Sequence, residues 1–363
     1  MESEAITSAL SDLYNFHKYQ YDQLIKPRNI KYNSLTDDDK KLLPWYVEHT
    51  EIMKKCIDHN RECLQSIAYT VGANWGFPDP SIWDPPTTTG FDRVRSLLLQ
   101  LTREWSDEGI DERQVLERIY GDLGSQQLDI LIPGCGTGRI IYDLAARGHD
   151  VHGIEFGYHV MILNQFMLNF YQREFIIYPY LHKLSNVVSR DRQTRNVTIH
   201  KEVSDIKGSM AMSGGSFIDI YGPNDLQISE FYSEENHECR ADPTKFDTLI
   251  TCFFIDTAPN IIDYLRTIHH RLHPHGKWIN IGPLQWHFED DHNITTTITN
   301  GITVPSINKG LELSSEDLFH LINQFFKITR NDQIPTTYAT DQTLMAKNLY
   351  HCLYWIASPL PLK

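Results

Sequence analysis

The stretch from Leu128 to Glu155, LDILIPGCGTGRIIYDLAARGHDVHGIE, restricts the fold of this chain more than any other. Its opening run LDILI is short, β-branched and apolar, and predicts a buried strand. Gly134, Gly136 and Gly138 follow at alternate positions and predict a tight loop. Ile140, Ile141, Leu144 and Ala145 then recur at helical spacing, and Gly148 ends the predicted helix. The second strand, DVHGI, stops at Glu155. Strand, glycine loop, helix, strand and terminal carboxylate make one half of a nucleotide-binding βαβ unit.

Each part has a physical task. Glycines lack Cβ, so the backbone can approach a ligand closely and turn through positive φ. The helix N-terminus offers free N–H groups and a partial positive charge. A carboxylate at the end of the second strand can accept hydrogen bonds from two ribose hydroxyls. A dinucleotide and S-adenosylmethionine (SAM) both suit such a site. The dinucleotide fingerprint is G-x-G-x-x-G, whereas this loop reads G-x-G-x-G, and the spacing favours SAM.

The rest of the chain extends this pattern. Residues 1–124 read as a mostly helical region, with Met53, Cys56, Ile57, Cys63, Leu64 and Ile67 forming one amphipathic stripe. The proline-rich NWGFPDPSIWDPPTTTG reads as a connector, and Val94, Leu97, Leu98, Leu101 and Trp105 mark a further helix. Gln100 and Arg103 lie off that stripe, where spacing alone suggests a solvated face. Residues 125–363 alternate strands and helices, which predicts a doubly wound α/β sheet. An irregular, polar insertion is expected at about 173–245, with Asn186–Asp191 and Tyr232–Asp242 as its mobile parts. FDTLITCFFID reads as a strand ending in Asp256, on the ligand side of an open sheet. KWINIGPL reads as the next strand, residues 311–326 as a helix capped by Ser314 or Ser315, and FKITRNDQI and YHCLYWIAS as the last two strands.

Composition excludes several classes. A formal net charge of −14 without a dense Lys/Arg run argues against a nucleic-acid partner. No apolar run approaches the ~20 residues of a membrane helix, so no membrane partner is expected. MESEAITSAL lacks the order of a signal peptide. The six cysteines (56, 63, 135, 239, 252, 352) contain no C-x-x-C pair, which suggests neither a zinc site nor a disulfide framework. A reduced, cytoplasmic location is expected, with the nucleus as a second compartment. The run HHRLHPH (His269, His270, His273, His275) invites a metal, but histidines also suit the end of a helix and a surface turn. No metal is expected.

Several widely spaced strings carry a family resemblance: KKCIDHN (54–60), QLTREWS (100–106), PGCGTGR (133–139), YPYLHKLSN (178–186), TCFFIDTAPNIIDY (251–264), WINIGPLQWHFE (278–289), TTYATD (336–341) and LYHC (349–352). On these the chain resembles the carnosine N-methyltransferases, the N2227-like family, from about residue 40 onward. The resemblance implies a class I SAM-dependent methyltransferase domain, Rossmann-like, preceded by a helical region. It implies methyl transfer from SAM to an imidazole nitrogen of carnosine, giving anserine, with S-adenosylhomocysteine as the other product.

It also implies roles for single residues. Gln100 and Arg103 match cofactor positions, against the solvated-face reading. Gly134, Gly136 and Glu155 match the loop and ribose positions, Phe217 the aromatic beside the adenine, and Cys252 a strand end between both ligands. Ser216 stands where the family usually has an aspartate. Phe253, Asp256, His287, Tyr338 and Tyr350 match substrate-side positions, with Asp256, His287 and Tyr350 expected to serve catalysis. A protein histidine is an alternative substrate, and a non-catalytic SAM-fold binding protein an alternative function. Any assembly is expected to be a homodimer.

Overall fold

The computed structural model describes residues 2–202, 205–226, 244–291, 310–341 and 343–361, together with the backbone of 295–299 and 302–306. The stretch Tyr232–Asp242, expected to be mobile, lies outside the described residues. The chain forms two compact units, one of residues 1–114, 158–203 and 337–348, the other of 115–157, 204–336 and 349–363.

The second unit is built on a seven-stranded sheet. Its strands are β1 (Asp129–Pro133), β2 (Asp150–Glu155), β3 (Ser209–Gly214), β4 (Phe246–Cys252), β5 (Leu272–Gly282), β6 (Phe326–Thr336) and β7 (Tyr350–Pro359). They lie in the order β6-β7-β5-β4-β1-β2-β3. The β3-β2-β1-β4-β5 pairs are parallel, and β7 runs antiparallel to both β5 and β6. This mostly parallel sheet with helices between its strands is a doubly wound, Rossmann-like α/β fold.

Strand alternation sorts the core into two layers. Leu131, Ile154, Leu249, Trp278 and Trp355 pack together in one cluster. Ile130, Ile132, Val151, Ile250, Ile279 and Tyr354 pack in another. The helix Arg139–Ala146 places Ile140, Ile141, Leu144 and Ala145 in that second cluster, as their spacing predicts. The helix Ile261–Arg271 contributes Ile261, Tyr264, Leu265 and Ile268 to the first. Gly148, at φ +100°, turns the chain after the loop helix.

Three sequence expectations are corrected. The stretch 173–245 is not irregular throughout, because β3 is the edge strand of the sheet, paired along Glu155↔Gly214. Its SMAMSG sequence is largely exposed, so no apolar alternation marks it. The strand of FDTLITCFFID ends at Cys252, and Asp256 sits in a short 3-10 turn, Ile255–Thr257. The cause is Phe253, which takes φ +53° and turns the chain out of the sheet. The late helix is Ser315–Ile322, capped by Ser314 through Asp317 N–H. Phe326 already belongs to β6, opposite Pro359.

The other unit holds long helices, Glu2–Gln20, Tyr46–Asn74 and Thr88–Trp105. Met53, Cys56 and Ile57 are buried with Leu24, Ile25 and Leu181. Asp12, 1% exposed, accepts from Thr87 N–H at 2.7 Å and lies 2.8 Å from His159 Nε2. That pairing holds a helix start and a later segment on the first helix. In the same unit Phe175–Ile177 pairs antiparallel with Val197–Ile199.

Candidate active site

The carboxyl edge of the sheet begins with the glycine loop. Gly134, Gly136 and Gly138 have φ of +67°, +60° and +95°, which side-chain-bearing residues rarely adopt. The N–H groups of Gly134 and Cys135 both donate to the Ile154 carbonyl, at 2.8 and 3.2 Å, and so fix the loop on β2. A Cβ on Gly134 would lie 2.4 Å from the Phe254 ring. This glycine is therefore demanded twice, by its φ and by the ring beside it.

Glu155 ends β2 next to this loop. Its Oε2 accepts from Gly136 N–H at 3.2 Å, and its Oε1 from Phe156 N–H at 2.9 Å and Gly157 N–H at 3.1 Å. The carboxylate is half-buried, so these bonds orient it and leave part of it accessible.

Aromatic rings stand beside the loop. Phe254 stacks on Tyr264 with centroids 4.9 Å apart, and Phe217 meets both rings edge-on at 5.7 and 5.6 Å. Burial pushes the Tyr264 hydroxyl up to about 12. Ser216 caps the short helix Phe217–Tyr221, its hydroxyl 3.5 Å from the Asp219 N–H. Serine is a good N-cap, which gives Ser216 a local structural task.

The end of β4 supplies the third group. Phe253 N–H donates to the Ile281 carbonyl at 2.7 Å, and a Cβ on Gly282 would come within 3.2 Å of Phe253 Cα. This close approach permits the turn that delivers Asp256. Asp256 is 4% exposed and its Oδ2 accepts from Gln285 N–H at 3.0 Å. Burial raises its pKa above the usual carboxylate range, against the opposing pull of the Gln285 N–H and His287. The His287 N–H donates to the Asp256 carbonyl at 3.0 Å, and the His287 side chain is exposed. Tyr350 OH donates to Gln285 Oε1 at 3.1 Å. Gln285 thus joins Asp256 and Tyr350, a link no spacing reveals. Cys252, half-buried, is the last residue of β4 and faces Ile281 in the sheet. Burial, with Cys252 and Asp256 nearby, pushes the Cys352 thiol up to about 12.

The remaining predicted residues lie in the helical unit. Arg103, on the helix Thr88–Trp105, pairs with Glu104 at 3.2 Å and sets its guanidinium 4.1 Å from the centre of the Tyr338 ring. Its side chain is 17% exposed, so the solvated-face reading fails for it. Gln100 is half-buried, and its Oε1 is buried without a described partner. Arg113 donates to the carbonyls of Arg103 at 2.6 Å and Ser106 at 2.8 Å, satisfying orphan groups at the end of that helix. The histidine run has local tasks: His269 meets the Leu360 carbonyl at 2.7 Å, and His273 and His275 are exposed. Among the described residues, no cluster of three or more His, Cys, Asp or Glu could hold a metal ion.

Residues 80–359 match the family model for carnosine N-methyltransferase, well over half of the chain. The chain belongs to the carnosine N-methyltransferase family. It is 29% identical to the carnosine N-methyltransferase of Schizosaccharomyces pombe, covering 98% of this chain and 95% of the relative. The mouse protein of that name is 30% identical, covering 90% and 79% respectively, and the Dictyostelium discoideum one 28%, covering 98% and 76%.

As a member of this family the chain is a SAM-dependent methyltransferase, with SAM as its cofactor. The glycine cradle, the oriented carboxylate on β2 and the aromatic group beside them fit a nucleoside carrying a short charged chain. Three residues of this candidate site were not foreseen. Phe254 covers Gly134, Gly282 admits Phe253, and Gln285 bridges Asp256 and Tyr350. The glycine and glutamine sit within the WINIGPLQWHFE string, which is the one signal that could have drawn attention to them.

Proposed function

We propose that this methyltransferase acts on the imidazole of carnosine and methylates the ring nitrogen nearer the side-chain attachment, giving anserine. Family membership supports the substrate class, and the buried Asp256 carboxylate is the observation that carries the regiochemistry. Bound SAM supplies a methyl group already activated by its sulfonium. What the chain must supply is alignment, with reacting atoms about 3–3.5 Å apart.

Gly134, Gly136 and Glu155 would hold the cofactor, Glu155 through the ribose hydroxyls and Phe217 beside the adenine. The resemblance adds Gln100, Arg103, Ser216 and Cys252 to that set. Asp256 faces the imidazole. Neutral imidazole carries its lone pair on one nitrogen, and a hydrogen bond at the other decides which. Gln285 engages one carboxylate oxygen of Asp256. The other accepts the distal N–H, leaves the proximal lone pair free to attack, and stabilises the imidazolium that forms, as an aspartate orients a catalytic histidine. Phe253, His287, Tyr338 and Tyr350 complete the substrate side.

The test is methyl transfer from labelled SAM to carnosine, with the product nitrogen assigned by NMR. A parallel incubation with whole protein extract reads out a protein histidine as acceptor. Label in carnosine at the proximal nitrogen supports the reading. Label at the distal nitrogen, or in protein alone, refutes it.

A further inference from the structure

Glu112 is a buried carboxylate that draws three donors from one short segment. Its Oε1 accepts from the Thr337 hydroxyl at 2.6 Å and Thr340 N–H at 3.0 Å, and its Oε2 from Ala339 N–H at 2.8 Å. A second anchor grips the same segment further on. Arg195, its side chain 12% exposed, sets Nη1 3.0 Å from each carboxylate oxygen of Asp341, itself 2% exposed. The same Nη1 reaches Thr343 Oγ1 at 3.0 Å, and the guanidinium lies 3.8 Å from the Tyr180 ring centre. Residues 337–341 are thus fastened at two points, with Thr343 on the second, by charged groups out of water, where unpaired charge is costly.

What lies between the anchors gives the arrangement a purpose. Ala339 has φ +48°, a conformation that alanine keeps only where its surroundings impose it. Its N–H is the one that Oε2 of Glu112 receives. Tyr338 immediately precedes it, its ring packed under Arg103. A strained residue held by a buried carboxylate therefore sets the direction of the neighbouring tyrosine.

We propose that Glu112 and Arg195 are positioning residues for methyl transfer, a two-point latch that holds Tyr338 in its substrate-competent orientation. The proposal rests on the reading of Tyr338 as a substrate-side residue. Glutamine at position 112 would turn an NH2 toward at least one of the three donors, so Glu112→Gln opens the latch without removing bulk.

Two measurements on the full chain test it. Backbone amide exchange over 337–343 is expected to quicken about tenfold or more in Glu112→Gln, while β1 and β4 peptides are unchanged. kcat/KM for carnosine is expected to fall about 10–100-fold in the Tyr338 background and less than about threefold in a Tyr338→Ala background, as coupled residues behave in a double-mutant cycle. Arg195→Lys, which keeps charge but loses the planar guanidinium that spans Asp341 through Nη1 and Glu108 through Nη2, is expected to repeat both effects more weakly. Unchanged exchange in both variants overturns the latch, and an undiminished loss in the Tyr338→Ala background overturns its action through Tyr338. Faster exchange in a wild-type-like fold that never methylates carnosine supports the latch and refutes the substrate assignment instead.

Discussion

The backbone N–H of Gln285 donates to Oδ2 of Asp256 at 3.0 Å, linking the two segments that leave the carboxyl ends of the adjacent parallel strands β4 and β5. The bond pulls Asp256 toward ionisation while burial pushes it toward the neutral acid, and burial prevails. Turnover that needs the carboxylate should therefore fall off on acidification at a higher pH than an ordinary aspartate would give. The sign for stability is opposite. A carboxyl group whose folded pKa is raised favours the fold at low pH, and that contribution is lost as pH rises through the folded pKa. Asp256→Asn should thus be as stable as wild type or more so at neutral pH, with turnover down about 10²–10³-fold. Asp256→Ala should be slower still, with SAM affinity nearly intact. Rates, calorimetric SAM affinity and urea midpoints across pH check all of these, and near-normal turnover of Asp256→Ala would remove the imidazole-orienting role.

Glu155 accepts from the glycine loop through Gly136 N–H and from the two residues that follow it, and in the proposed site it also receives the cofactor's ribose. Hydrogen bonds to a charged group are each worth about 1.5–3 kcal/mol. Glu155→Ala should weaken SAM binding at least about tenfold, a loss of ~1.4 kcal/mol. Arg103→Ala in the same calorimetric titration examines the cofactor role that the family resemblance gives to that residue. Equal affinity in Glu155→Ala would displace the ribose from the end of β2.

Gly134→Ala places a methyl group 2.4 Å from the Phe254 ring at a φ of +67°. Either the ring moves or the loop does, and left-handed strain alone costs about 1–3 kcal/mol. The expected outcome is a lower Tm and loss of SAM binding. Gly121→Ala is the control, since a Cβ there meets nothing within 4 Å and helix propensity favours alanine by about 1 kcal/mol. A Gly134→Ala protein with wild-type Tm and affinity would contradict the close fit of ring and loop.

His182, against the rings of Phe16 and Tyr19 at 5.8 and 5.9 Å, has its pKa lowered from 6.5 to about 4, chiefly by burial and then by Arg95. The folded chain therefore binds fewer protons than the unfolded one between these pH values, and stability falls as pH drops through that window. At about 1.4 kcal/mol per unit the contribution is at most about 3 kcal/mol. His182→Phe should flatten this part of the pH dependence in urea unfolding at pH 7 and 4.5. An unchanged difference between the two pH values would place the acid sensitivity elsewhere.

The sequence by itself determined the parts whose causes are local. Leu128–Glu155 encodes strand, positive-φ loop, helix and carboxylate within one run, because alternation, helical spacing and glycine placement act over a few residues. Strand hydrophobicity and chain direction also brought Asp256 to the carboxyl end of β4, but not the positive φ of Phe253 that ends the strand at Cys252 and sets Asp256 in a turn. The tertiary structure decided the rest. The exposed edge strand Ser209–Gly214 carries no apolar pattern, because its place depends on pairing with β2 rather than on burial of its own side chains. The environment of Asp256 depends on Gln285, 29 residues away, and the hold on Ala339 on Glu112, separated from it by 227. Such contacts exist only once the chain has closed on itself, and hydrogen-bond donors brought together by closure leave no period in the sequence to read.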